Sequence, residues 1–145
     1  NGFIGTHLFN TLGLFPDKYS LIEFKRNYFE DKVALDSFVS QCDVIVHLAA
    51  LNRHEIHSVI YNTNIGLVSC LIDSLDRTQC SPHVIMSSSS QEDNDNLYGK
   101  SKKVGRSLLS DWAKEKNTIF TGMIIPNVFG PFGKKKTKQW QESIH

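Results

Sequence analysis

Asp43-Val44-Ile45-Val46-His47-Leu48-Ala49-Ala50 decides the fold. The run is apolar almost throughout, without the alternation of a half-exposed strand. A strand of that kind is buried on both faces, as in a parallel sheet covered by helices. Its small Ala49-Ala50 end leaves room for a bound group to lie close. His47 sits among apolar neighbours and reads as a core histidine.

The segments on either side alternate with it. Asn1-Gly2-Phe3-Ile4-Gly5 reads as a glycine turn that runs into a helix. Ile4, Leu8 and Leu12 lie at helical spacing, and Gly13 and Pro16 close the segment. Tyr19 to Phe24 reads as a strand ending at Lys25-Arg26, and Asp31 to Gln41 as a helix with Ala34, Leu35, Phe38 and Val39 inward. After the central strand comes a polar loop, Leu51 to His57. Asn64 then opens a helix that turns Leu67, Val68, Leu71, Ile72 and Leu75 to one side. Pro82 to Met86 is the next strand, ending in Ser87-Ser88-Ser89-Ser90. Ser101 to Lys114 is a helix with Val104, Leu108, Leu109 and Trp112 inward. Thr118 to Ile125 is a last strand, followed by Pro126-Asn127-Val128-Phe129-Gly130-Pro131-Phe132-Gly133. Helices and strands in strict alternation predict an α/β fold, a doubly wound parallel sheet. In such sheets ligands bind beyond the C-terminal ends of the strands.

The whole chain has 145 residues, enough for one domain with a real core. With 40% hydrophobic and 21% charged residues it has an ordinary globular composition, and its net charge of +1 gives no field to recruit nucleic acid or a membrane. Cys42, Cys70 and Cys80 form no C-x-x-C pair. Dispersed and odd in number, they predict reduced thiols and a cytoplasmic protein. No apolar run approaches the length of a membrane span. Lys134-Lys135-Lys136 with Lys138 reads as a solvated basic tail.

The chemistry concentrates at Tyr98-Gly99-Lys100-Ser101-Lys102. Residues four apart on a helix share a face. A fixed ammonium near a phenol favours the phenolate, so Lys102 is expected to lower the Tyr98 pKa and make it a proton carrier. Tyr28 and Lys32 repeat the spacing, but no serine-ended strand precedes them, and they read as a solvated loop and helix start. His54 and His57 are three apart and fail the metal-binding H-E-x-x-H pattern, so no metal is expected. Gly2 and Gly5 suit the approach of a pyrophosphate to a helix start, or simply an ordinary helix start. Lys25 and Arg26, with no carboxylate beside them, suit a 2′-phosphate and hence NADP rather than NAD, or else a solvated strand end.

Together these motifs resemble the extended short-chain dehydrogenase/reductases, the NAD(P)-dependent sugar-nucleotide epimerase/dehydratase/reductase family. The resemblance rests on the glycine turn, His47-Leu48-Ala49-Ala50, Asn64-Ile65-Gly66, the serine run, Tyr98-x-x-x-Lys102 and Pro126 to Pro131. Within the family the chain looks most like the capsular-polysaccharide reductases that act at C4 of a UDP-linked 4-keto sugar with NADPH. His47 to Arg53, the nine positions from Ser89 to Tyr98 and the Lys25-Arg26 tip carry that likeness. The resemblance implies Tyr98 as general acid and Lys102 as its partner on the nicotinamide ribose. It implies Ser89 on the substrate oxygen, with Ser88 the alternative. Gly2, Phe3, Ile4, Gly5, Leu48, Ala49 and Ala50 would line the cofactor. Asn127 would touch the sugar nucleotide, or else serve as a turn residue. NADPH is the implied cofactor, with NAD the alternative; a 4-epimerase is the alternative activity, and a non-catalytic NADP-binding domain the alternative of another class. A homodimer is implied for the full-length protein. Residues 1–133 would be a Rossmann-type nucleotide-binding domain that lacks its first strand, and 134–145 the start of a substrate-binding region that is missing.

Overall fold

Val44–His47 forms strand β1 in a computed structural model that describes residues 2–130. Strand β2 is His83–Ser89 and β3 is Phe120–Ile125. They pair in the order β1-β2-β3, both pairs parallel, with Ile45 opposite Val84 and Val84 opposite Phe120. Helix α3 (His57–Thr78) links β1 to β2, and α4 (Leu97–Glu115) links β2 to β3. The result is an α/β, truncated Rossmann-like fold. Residues Ile22–Pro126 form one unit that holds this sheet; residues 2–21 and 127–130 belong to another, which holds helix α1 (Phe3–Leu12).

Packing follows the apolar pattern. Leu35 and Val39 of α2 (Lys32–Val39) join Val68, Leu71 and Leu75 of α3, Leu109 and Trp112 of α4, and Ile45, Val84 and Met86 of the sheet in one core. Burying each such side chain stabilises the fold by roughly 2 kcal/mol. Gly105 lets α4 come close: a Cβ there would lie 3.1 Å from Val68 and 3.2 Å from Met86.

Several expectations change. Tyr19 to Phe24 is not a strand but irregular chain, and Arg26–Phe29 is a short 3₁₀ turn. A strand exists only with a partner, and no described strand pairs with this segment. Phe24 packs instead against Tyr28, Phe29 and Phe38, so Tyr28 is partly buried rather than solvated. Helix α3 begins at His57, not at Asn64. Asparagine favours helix caps, but Asn64 lies mid-helix and inward, on a stripe with Ile60, Val68, Leu71 and Leu75. Helix α4 starts at Leu97 because the Asn96 side chain accepts a hydrogen bond from Gly99 N at 2.7 Å. Its inward stripe is Ser101, Lys102, Gly105, Leu109 and Trp112, which leaves Val104 and Leu108 exposed. Strand β2 runs three residues further than expected, through Ser87, Ser88 and Ser89, because β3 pairs with it up to Ile125. Pro131, Phe132, Gly133 and the basic run from Lys134 lie outside the described residues. No described helix is long and apolar enough to cross a membrane.

Candidate active site

Strand β2 ends where α4 begins, and that junction assembles the predicted group. The cap at Asn96 puts Tyr98 in the first turn of α4, with Lys102 one turn on along the same helix. The turn after β2 folds back tightly: Glu92 N donates to Ser89 O at 3.1 Å and Gln91 N to Ser89 Oγ at 3.2 Å. Ser89 thereby lies near Tyr98, where its hydroxyl pulls the phenol pKa down. Gly99 makes this closeness possible. A Cβ on it would stand 1.9 Å from Gln91 O, so only glycine lets the helix start press on that turn.

The electrostatics differ from expectation. Burial pushes the Tyr98 phenol above its ordinary range, and only the Ser89 hydroxyl pulls the other way. Lys102 does not lower it here. Its ammonium is 2% exposed, pushed down to about 8 by burial and supported by Glu92. The phenol therefore stays protonated at neutral pH, the form a proton donor needs.

Ser88 points elsewhere. Its hydroxyl donates to Glu92 Oε1, a bond separate from the Ser89–Tyr98 contact. Glu92 also receives Arg106 Nε at 2.8 Å and Nη2 at 2.7 Å.

Two residues escaped the sequence reading. Asn64 accepts from Leu51 N at 2.7 Å and donates to Leu51 O at 3.1 Å and to Ser101 Oγ at 2.9 Å. Ser101 in turn donates to Tyr98 O at 2.7 Å. One buried amide thus ties the loop after β1 to the helix turn of Tyr98. The signal is an amide in an apolar stripe, at a position expected only to open the helix. Glu92 is the second, an acid two residues past the serine run that no motif singles out.

His47 is buried, as expected. Burial and the Lys102 charge hold its pKa at about 4, and its Nε2 has no hydrogen-bond partner. The unfolded ring titrates near 6.5, so the folded state disfavours the proton. Stability from this site is full above pH 6.5 and is lost as pH falls toward 4. That loss should amount to about 3 kcal/mol, and His47→Phe should remove it in denaturant titrations run between pH 7 and 4. An equal acid loss in both proteins would refute the assignment.

Leu48, Ala49 and Ala50 follow β1 at its C-terminal end. Lys25 and Arg26 are exposed at the start of the short turn. In the other unit, α1 starts at Gly2 with no side chain capping it, so the N–H groups of its first turn, Phe3 to Gly5, are open to an anion. Nothing lies within 4 Å of a Cβ built on Gly2. Within its own unit, an uncapped helix start with two glycines suits a pyrophosphate, and within the sheet unit the exposed cations and the buried lysine one turn from a tyrosine suit other parts of a nucleotide. Asn127 belongs to the same unit as α1. His54 Nδ1 accepts from Ile56 N at 3.0 Å, and His57 opens α3. Among the described residues no three His, Cys, Asp or Glu side chains gather.

The family profile described as "NAD dependent epimerase/dehydratase family" matches residues 1–145. Among solved structures, the capsular polysaccharide assembling protein CapF from Staphylococcus aureus is 32% identical with a TM-score of 0.60, over 80% of this chain and 30% of that one. UDP-N-acetylglucosamine 4-epimerase from Bacillus cereus is 18% identical with a TM-score of 0.60, over 74% of this chain and 47% of its own. A nucleoside-diphosphate-sugar epimerase from Agrobacterium tumefaciens is 21% identical with a TM-score of 0.58, over 70% and 37%. The last two likenesses concern the fold. The chain spans less than half the length of each of these structures. No curated protein matches it.

Proposed function

The chain belongs to the NAD dependent epimerase/dehydratase family, and from that premise we propose that the full-length protein is an NADP-dependent sugar-nucleotide oxidoreductase. It reduces the C4 keto group of a UDP-linked deoxy-N-acetyl sugar for capsule or surface polysaccharide. The observation that carries this reading is the convergence of the Ser89 strand end on the first turn of α4, which brings the Ser89 hydroxyl near Tyr98, with Lys102 buried one turn further along the helix. The 32% identity to a capsular polysaccharide assembling protein supports the choice of pathway.

When bound, NADPH supplies a hydride for the keto carbon. The chain's own residues handle the proton and the positioning. Tyr98, protonated at neutral pH, gives its hydroxyl proton to the sugar oxygen. Ser89 orients that oxygen by a second hydrogen bond. Lys102, buried one turn further along the helix, would hold the nicotinamide ribose hydroxyls. Gly2, Phe3, Ile4 and Gly5 would hold the pyrophosphate on helix N–H groups. Leu48, Ala49 and Ala50 would line the adenine and ribose, and Asn127 the sugar nucleotide.

The test is stoichiometric. Full-length protein mixed with a UDP-linked 4-keto sugar should consume one NADPH per sugar. Interconversion of C4 epimers with no net NADPH use would make it a 4-epimerase. Cofactor binding without turnover of either kind would leave a non-catalytic NADP-binding domain.

Cofactor choice rests on Lys25 and Arg26. The double variant Lys25→Ala with Arg26→Ala should weaken NADPH binding at least about tenfold, the loss of charge-assisted contacts to one phosphate, and leave NADH binding within about twofold. Titration by cofactor fluorescence reads both, and equal losses would overturn the preference for NADP.

A further inference from the structure

We propose that Glu92 is a positioning residue of this site: held by Arg106 and Ser88, it locks the strand end carrying Ser89 to the helix carrying Tyr98 and Lys102, and it is the anion that accompanies the buried Lys102. The inference deepens the reading above and rests on it for the role of Tyr98.

Glu92 is a carboxylate only 6% exposed, in the turn that carries the strand into α4. An isolated buried carboxylate is strongly unfavourable, so it must be paired. Here every partner belongs to the site or leads to it. Ser88, its hydroxyl donor, is the residue before Ser89 on β2. Arg106 meets the carboxylate with both Nε and Nη2, one turn beyond Lys102 on α4. Such two-pronged pairs fix orientation as well as distance. The backbone N–H of Glu92 closes the turn on Ser89 O. The Arg106 stem reaches Glu92 across Gly122 of β3, where a Cβ would lie 2.6 Å from Arg106 Cδ. Turn, helix and third strand therefore converge on one carboxylate.

A buried ion pair is a poor way to gain stability alone, since apolar groups of the same size do as well. It is a good way to hold two elements in one register. Glu92 also faces Lys102 with opposite charge. Among the described residues His47 of β1 also faces Lys102, and it is neutral above about pH 4. On its own helix Tyr98 and Arg106 lie a turn to either side, and α3 presents the neutral Asn64 to the neighbouring Ser101. Glu92 is thus the anion that offsets the burial of the ammonium.

The test uses the full-length protein and two readouts. One is the pH dependence of kcat for NADPH-dependent reduction of a UDP-linked 4-keto sugar. The other, independent of turnover, is titration of Lys102 by its 13Cε shift, assigned with Lys102→Arg. Glu92→Gln keeps the shape and removes the charge. A lost anion favours the neutral amine, so Lys102 should release its proton about one pH unit lower. The alkaline limb of kcat should move with it, and kcat should fall about tenfold. Glu92→Asp and Arg106→Lys keep the charges but break the two-pronged fit. They should lower kcat severalfold with the limb in place. A Glu92→Gln protein that loses thermal stability while Lys102 titrates as in the parent would make the pair merely structural and overturn the proposal. If Glu92→Gln does not fold, the other two variants decide, and kcat within about twofold of the parent in both overturns it. A full-length protein that turns over no sugar nucleotide sinks the functional reading, while the Lys102 titration still decides the charge role of Glu92.

Discussion

Tyr98→Phe in the full-length protein is expected to lower kcat by roughly 10² or more and to leave NADPH affinity nearly unchanged. The ring is half-buried in the first turn of α4, and only its hydroxyl meets Ser89. Phenylalanine fills the same space, so the fold and the cofactor contacts survive. What disappears is the proton donor, and a positioned acid is worth about 10² to 10⁴ in rate. The raised phenol pKa supports the donor role: the proton is present at neutral pH and leaves only as negative charge develops on the substrate oxygen. Stopped-flow or steady-state loss of NADPH absorbance with a 4-keto sugar nucleotide measures the change. A variant with the parental rate would remove Tyr98 from the chemistry.

Gly99→Ala is expected to cost about 3 kcal/mol, at the upper end of overpacking effects. The methyl would sit 1.9 Å from Gln91 O and 2.6 Å from Gln91 C, and backbone cannot step aside as the end of a side chain can. Either the helix start or the turn after β2 must shift, and both carry site residues, so kcat should fall along with stability. Gly66→Ala is the control. It lies in α3 with nothing within 4 Å of its would-be Cβ. There alanine should stabilise by about 0.5 to 1 kcal/mol through helix propensity. Chemical denaturation of both variants distinguishes contact from propensity. A Gly99→Ala midpoint equal to the parent's would contradict the packing described.

The parallel sheet was legible because β1 and β2 are apolar runs with helical stripes between them, although β1 buries only Ile45 and His47 fully and leaves Val44 exposed. The Tyr98-Lys102 pair was legible because helix periodicity sets who shares a face. Ser89 was legible only with the strand end in view. Hydropathy could not show what a side chain does once buried. Asn64 carries the residue type of a cap, yet its amide closes three long-range hydrogen bonds, and long-range pairing leaves no local pattern. The Tyr19 to Phe24 stretch has strand composition, but a strand is a relation between two segments, and composition describes one. The direction of the Tyr98 shift was missed for a related reason. Spacing along a helix reports that two groups are near, whereas the loss of water around each is set by the strand end and turn that cover them.

The Glu92–Arg106 pair also bears on how this sequence could have changed over time. Losing the base first strands a carboxylate away from water, whereas losing the acid first leaves a partly exposed guanidinium that can turn to solvent. Gly122 adds a third condition, because the arginine stem lies where any larger residue would reach. A change at 92, 106 or 122 therefore alters what the other two positions can hold, and the order in which they change matters.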